Sequence, residues 1–270
     1  MAEALAGVRS AALGGARPLP GAAAPLVLLS PGLGEYRAGL TGLAEELASR
    51  GLWVAGVDHP YDAAGVAFPD GRVVAHREPE SRHEGDTHDL QARYLATRTD
   101  DLRFVLDHLL AADGPWRERV DPGRVAVAGH SLGGAAALDL ALRDDRVAAA
   151  AVVDGSLYGP VLTRGLAVPV LLCALTPDDP DDPEILAGWD RVWPLLRGPR
   201  DRVRVPGAGH MSATDFDVLA DPLGLRDPDD PDTPFSFGTL PPGDGLAAVR
   251  SVLGAFLAEH LVGVPTDGRR

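Results

Sequence analysis

The segment RVAVAGHSLGGAAAL, residues 124–138, constrains the fold of this chain more than any other stretch. A short apolar run climbs to Gly-His-Ser-Leu-Gly and drops at once into an alanine-rich run with helical preference. Gly129 and Gly133 stand two residues either side of Ser131, where a strand and a helix crossing closely leave no room for a side chain. A phosphate-cradling glycine loop needs another spacing and a Lys-Ser/Thr pair, and neither is present. The pattern predicts a strand, a sharp turn that presents Ser131 as a nucleophile, and a helix.

Parallel-sheet organisation extends on both sides of this turn. PLVLLS from Pro25 reads as a strand, and Leu40, Leu43, Ala44 and Leu47 then recur at helical spacing up to the break at Gly51. LWVAGVDH returns to strand character. Strand, helix, strand in this pattern implies parallel pairing through a right-handed crossover. Residues from about 60 to 90 are polar and lack a sustained period, as in a loop over a site or a small irregular insertion.

A helix around Asp89 carries the stripe Tyr94, Leu95, Leu102, Val105, Leu106 and Leu109. Its Arg98 and Asp101 either face solvent or anchor the neighbouring loop, and the solvent-facing reading is the simpler. AAAAVVD, PVLLCALT and RVRVPG supply further strands. A helix over 184–197 places Trp189 and Trp193 in the core rather than a pocket. Leu246, Val249, Leu253, Phe256 and Leu257 mark a closing amphipathic helix. With 270 residues, 45% of them apolar, one α/β domain over 25–265 accounts for the pattern. Residues 1–24 form an N-terminal extension.

Composition excludes several function classes. A formal charge of −14 argues against nucleic acid or an anionic membrane as partner. The single cysteine, Cys173, lies in the apolar run PVLLCAL and reads as a core residue. The eight histidines show no metal-ligand spacing, so no metal is expected. DPDDPDTP from Asp227 fits no calcium loop and reads as an exposed acidic loop. No apolar run approaches twenty residues, so no transmembrane segment is expected. The N-terminus lacks a basic start and a strong apolar core, which points to the cytoplasm, or to secretion if the chain is a processed form.

A serine needs a base within reach to act as a nucleophile. At the carboxyl ends of parallel strands, residues distant in sequence share one crevice. Ser131 after RVAVAGH, Asp154 after AAAAVV and His210 after VRVPGAG have that placement, in the order Ser, Asp, His expected of α/β hydrolases. Ser131 would attack a carbonyl carbon, His210 would take and return its proton, and Asp154 would orient the imidazole. His130 reads as a packed turn residue, because adjacent side chains on a sharp turn point apart. Asp178 and Asp179, beyond the next strand, are the other positions for the acid, although TPDDPDDP reads as a solvated turn. Oxyanion donors are expected from the backbone N–H groups of Leu132 and, within SPGLGEY, of Leu33. The alternative for SPGLGEY is a plain Pro/Gly turn.

The pieces SPGLGEYR, GLWVAGVDH, GHSLGG, VVDG and GAGHMSATDF together resemble α/β hydrolases of the platelet-activating-factor acetylhydrolase type, related to small bacterial lipases and polyester hydrolases. They span residues 25–216. The resemblance implies an α/β-hydrolase fold, a mostly parallel sheet flanked by helices, shortened at its N-terminal edge because the family's longer N-terminal region is missing. It maps the acid onto Asp154 and the first oxyanion donor onto Leu33. It also implies hydrolysis of small or lipid-derived carboxylic esters with short or modest acyl groups, without metal or organic cofactor. Pro31 departs from the histidine of the animal members, so their headgroup preference does not carry over. A thioesterase, an amidase or peptidase, and a non-catalytic binding scaffold are the alternatives.

Overall fold

Along the central strands, successive apolar side chains enter two different hydrophobic layers. In β1 (Ala24–Ser30) Leu26 and Leu28 pack on one side, and Val27 and Leu29 on the other. A strand buried on both faces needs apolar residues at every position, which is why PLVLLS is unbroken rather than alternating. The structure is a computed structural model that describes residues 8–18, 21, 23–77, 87–175, 184–227 and 229–262.

The main sheet comprises β1, β2 (Trp53–Gly56), β5 (Val120–His130), β6 (Val147–Val153), β7 (Val170–Ala174) and β8 (Arg200–Arg204). Their order is β2-β1-β5-β6-β7-β8, and every pair is parallel. The strand that bears Ser131 at its tip thus lies at the centre, between β1 and β6. That order reverses direction at β1 and β5, where α/β sheets open a crevice at their carboxyl edge.

Helices fill both faces. α1 (Thr41–Ser49) covers one side together with α8 (Asp244–Leu257). The other side is covered by α2 (Thr87–Leu109), α3 (Leu132–Arg143), α4 (Val161–Arg164) and α5 (Glu184–Val192). The expected stripe on α2 is in place: Tyr94, Leu95, Leu102 and Leu106 are buried. Trp189 is fully buried with its indole N–H donating to the Gly155 carbonyl at 2.9 Å.

The structure departs from the sequence reading in three places. The insertion after β2 is not wholly irregular, because β3 (Gly65–Ala67) and β4 (Val73–Ala75) form an antiparallel hairpin within it. Two short helices, α6 (Phe216–Leu223) and α7 (Thr233–Phe237), follow the histidine segment. Residues 244–262 form a helix long and apolar enough, by length and composition, to cross a membrane. Leu246, Val249, Leu253, Phe256, Leu257 and Leu261 of that helix pack on the sheet, so it is accounted for as a core helix.

Candidate active site

Ser131 sits at φ 53°, ψ −127°, on the one residue between β5 and α3. An L-residue is strained at positive φ, and such strain persists only where the surroundings enforce it. Here they do. The Ser131 amide donates to the Val153 carbonyl at 2.9 Å, tying the turn to the neighbouring strand. A side chain on Gly129 would collide with the Gly133 backbone, and one on Gly133 with the Ser30 carbonyl. The two glycines are therefore the condition for the turn, as their spacing implied.

Asp154 directly follows β6 and is also strained, at φ 51°. Its carboxylate is wholly buried and accepts from His210 Nδ1 at 2.7 Å through Oδ2. Oδ1 accepts from the Leu175 amide at 2.8 Å. A carboxylate accepts only, so Nδ1 of His210 carries the proton and Nε2 is the nitrogen left for chemistry. Asp178 and Asp179 lie outside the described residues. Behind Asp154, Cys173 is buried, and burial followed by the Asp154 charge pushes its thiol up to about 12. It is an inert core thiol.

His210 begins a 3₁₀ turn held by the residues that follow it. Ser212 Oγ accepts from the Gly209 amide at 3.1 Å and donates to the buried Asp217 at 3.3 Å. Asp217 also accepts from the amides of Gly243 and Leu246, where α8 begins. Asp215 accepts from the Gly42 amide at 2.9 Å, and burial raises its carboxyl above the ordinary value. The polar residues of GAGHMSATDF are thus the scaffold of the histidine loop. Phe235 on α7 stacks on the His210 ring, with centroids 5.4 Å apart and planes 22° apart, and stays half exposed.

The turn after β1 has nearly all its amides committed. Gly32 donates to Glu35 Oε2 at 2.8 Å, Gly34 to Asp62 Oδ1 at 3.3 Å, and Glu35 to the Gly32 carbonyl at 3.1 Å. Among the described residues no acceptor takes the amide of Leu33, nor that of Leu132 at the start of α3. These are the two donors expected for an oxyanion.

Arg98 corrects the solvent-facing reading of α2. It is fully buried, grips Asp62 with two hydrogen bonds of 2.6 Å, and donates to the carbonyls of Pro31 at 2.5 Å and Gly32 at 2.8 Å. Planar, bidentate recognition of this kind suits a guanidinium. Asp101, only about one-third exposed, likewise accepts from His59 Nδ1 at 2.9 Å. His59 Nε2 in turn lies 2.9 Å from Ser30 Oγ. Burial, ahead of every other influence, holds His59 below its ordinary value, so the ring is neutral and Ser30 donates to it.

Ser30, His59 and Asp101 are a second Ser-His-Asp grouping, but Ser30 and His59 have no exposed surface. No carbonyl can reach Ser30. His130 is packed as expected, bonded to Glu35 through Nδ1 and to the His210 carbonyl through Nε2. The sequence reading missed Glu35, His59 and Asp62, and it ranked the anchoring role of Arg98 and Asp101 second to a solvent-facing one. Only the placement of His59 just after β2 could have drawn notice.

No family model matches the chain. It is 26% identical over 215 residues to a probable 1-alkyl-2-acetylglycerophosphocholine esterase of Arthroderma benhamiae, covering 75% of this chain and 51% of that protein. It is also 26% identical over 151 residues to the platelet-activating factor acetylhydrolase of Gallus gallus, covering 44% of this chain and 36% of that one. The chain thus matches about half or less of the length of these curated relatives. The structure is similar to that of a ferulic acid esterase from Streptomyces cinnamoneus, with a TM-score of 0.84 and 39% identity over 98% of this chain and 76% of that one.

Proposed function

The chain belongs to the platelet-activating-factor-acetylhydrolase-like α/β hydrolases, and on that footing we propose that it is a serine esterase that cleaves carboxylic esters through an acyl-enzyme. The observation that carries the reading is the 2.7 Å hydrogen bond from His210 Nδ1 to the buried Asp154, beside a strained Ser131 whose amide bonds to Val153, the residue before Asp154, and whose neighbour His130 lies ring to ring with His210 at 4.5 Å. With Nδ1 committed, His210 Nε2 takes the Ser131 Oγ proton as Oγ bonds to the ester carbon. It then returns that proton to the departing alcohol. Water, deprotonated by the same nitrogen, attacks the acyl-enzyme and releases the acid. The amides of Leu33 and Leu132 stabilise the oxyanion in both halves.

The relatives named above act, by their names, on an acetyl glycerophospholipid or on a ferulic acid ester. The substrate proposed here is accordingly an ester with a short or modest acyl group, lipid-derived esters included. A second reading, an aromatic acyl group, is favoured by the half-exposed ring of Phe235 stacked on His210.

Incubation with a serine-reactive fluorophosphonate tests the reaction class. Stoichiometric labelling of the intact chain, abolished in Ser131→Ala, is the expected result. An unlabelled chain, or equal labelling of Ser131→Ala, rules the reading out. Rates on matched oxygen esters, thioesters and amides then separate an esterase from a thioesterase or amidase.

A further inference from the structure

Glu35, His130 and the backbone carbonyl of His210 form a chain whose proton count is fixed by the acceptors at its ends. His130 Nε2 lies 2.8 Å from the His210 carbonyl oxygen, and Nδ1 lies 3.2 Å from Glu35 Oε2. A carbonyl oxygen can only accept. Glu35 Oε2 accepts from the Gly32 amide at 2.8 Å and the carboxyl is held below its ordinary value, so it is ionised and, as a carboxylate, can only accept from His130. Both ring nitrogens must then donate, and an imidazole with two N–H groups is an imidazolium. Such a charge, in a side chain only 1% exposed, is costly unless answered. The Glu35 carboxylate, 15% exposed, answers it.

The two ends of this chain belong to the two parts of the site that must keep a fixed separation. Gly32 immediately precedes Leu33 in the oxyanion turn, and His210 is the base. Resting on the esterase reading, we infer that Glu35 and His130 are positioning residues: a buried carboxylate–imidazolium link that ties the oxyanion turn to the histidine loop and holds both against Ser131.

The ionisable groups facing His130 are Glu35 from the turn after β1, Asp154 from the tip of β6 and the His210 ring, 4.5 Å away centroid to centroid, from the loop after β8. Burial is the largest influence on His130 and pushes it down. The charge and hydrogen bond of Glu35, the charge of Asp154 and the His210 carbonyl outweigh it and hold the ring above its ordinary value. For Glu35, burial pushes up, while His130, the Gly32 amide and His210 together hold it below. When the imidazolium loses a proton at alkaline pH, one nitrogen stops donating and one end of the link opens.

The experiment has two arms. In the wild-type chain, the ring ¹⁵N–¹H spectrum of His130 at about pH 6.5, the ordinary histidine value, should show protons on both nitrogens in most molecules. Glu35→Gln keeps an acceptor for Gly32 but removes the charge. It should move the alkaline fall of kcat down by about one to three pH units, as expected for loss of a close opposite charge. The deficit in kcat should widen as pH rises, with KM little changed. A single ring proton in the wild type, or a deficit constant across pH, overturns the link. Loss of fluorophosphonate labelling in Ser131→Ala is read in parallel, so failure of the esterase reading is seen separately.

Discussion

His210 donates through Nδ1 to Asp154 Oδ2 at 2.7 Å, while the other carboxylate oxygen holds the Leu175 amide at 2.8 Å. The carboxylate is therefore clamped by the strand beside it, and the imidazole has one orientation and one tautomer. Asp154→Asn should lower kcat about 10³–10⁴-fold with the circular dichroism spectrum unchanged, since the amide can present its NH₂ to Nδ1 and favour the wrong tautomer. Asp178→Asn and Asp179→Asn should each change kcat only a few-fold. Near-normal activity in Asp154→Asn with collapse in either of the others would move the acid to the segment after β7.

The Glu35–His130 pair also predicts how stability varies with pH. Glu35 is held below its ordinary 4.5 in the folded chain, so its contribution is complete above about pH 4.5 and is lost as pH falls through the folded value. His130 is held above 6.5, so its contribution is complete below about pH 6.5 and is lost as pH rises through the folded value. The gap in Tm between wild type and Glu35→Gln should be widest between about pH 4.5 and 6.5 and should narrow on both sides. Thermal melts from about pH 3 to about pH 9 check it, and a gap that stays flat over that whole span refutes it.

Arg98 is the buried cation of the turn after β1, with Asp62 and two backbone carbonyls as its partners. Removing one member of a buried pair strands the other without solvent. Arg98→Ala should therefore destabilise the fold by about 3–5 kcal/mol. Denaturant titration measures this, and a loss below about 1 kcal/mol would mean the pair behaves as a surface contact.

The legible part of this molecule is the part written locally. Each of Ser131, Asp154 and His210 follows its own strand closely, so position along the sequence placed all three on one edge of the sheet. The glycines around Ser131 announced the backbone crossing because only hydrogen fits there. Arg98 gave no such signal. Its stripe predicts a helix face but not what that face meets, and its partners lie 36, 66 and 67 residues away. Glu35 and His130 are likewise separated by 95 residues. Their pairing depends on β1 lying beside β5, a product of the assembled sheet. Buried polar networks are the last feature that a periodicity can reveal.

The two Ser-His-Asp groupings predict opposite outcomes for one substitution. Ser30→Ala removes the donor to His59 Nε2 and leaves a buried acceptor unmet, at a cost of about 1–3 kcal/mol. Fluorophosphonate labelling should survive, because Ser30 has no exposed surface to react. Labelling abolished in Ser30→Ala but retained in Ser131→Ala would transfer the nucleophile to the tip of β1.

Phe235 sets the last prediction, which concerns the acyl group. The loop before it folds on its own carboxylates, Asp227 accepting from the Asp229 amide and Asp230 from the Asp232 amide, and leads into α7. That short helix lays the Phe235 ring 5.4 Å from the His210 ring, nearly parallel and half exposed. A flat acyl group reaching Ser131 from this side could stack on the free part of the ring, whereas an acetyl group is too small to use it. Aromatic pairs contribute about 0.5–1.5 kcal/mol beyond their buried area, or roughly two- to twelve-fold in rate. Phe235→Ala should therefore lower kcat/KM for hydroxycinnamoyl esters by about that factor more than for acetyl esters of the same alcohol. A matched panel from acetyl through hexanoyl to palmitoyl, with the aromatic esters included, gives the comparison. Equal loss on every ester would show that Phe235 only braces His210, and a preference for palmitoyl esters below their aggregation limit would overturn the short-acyl assignment itself.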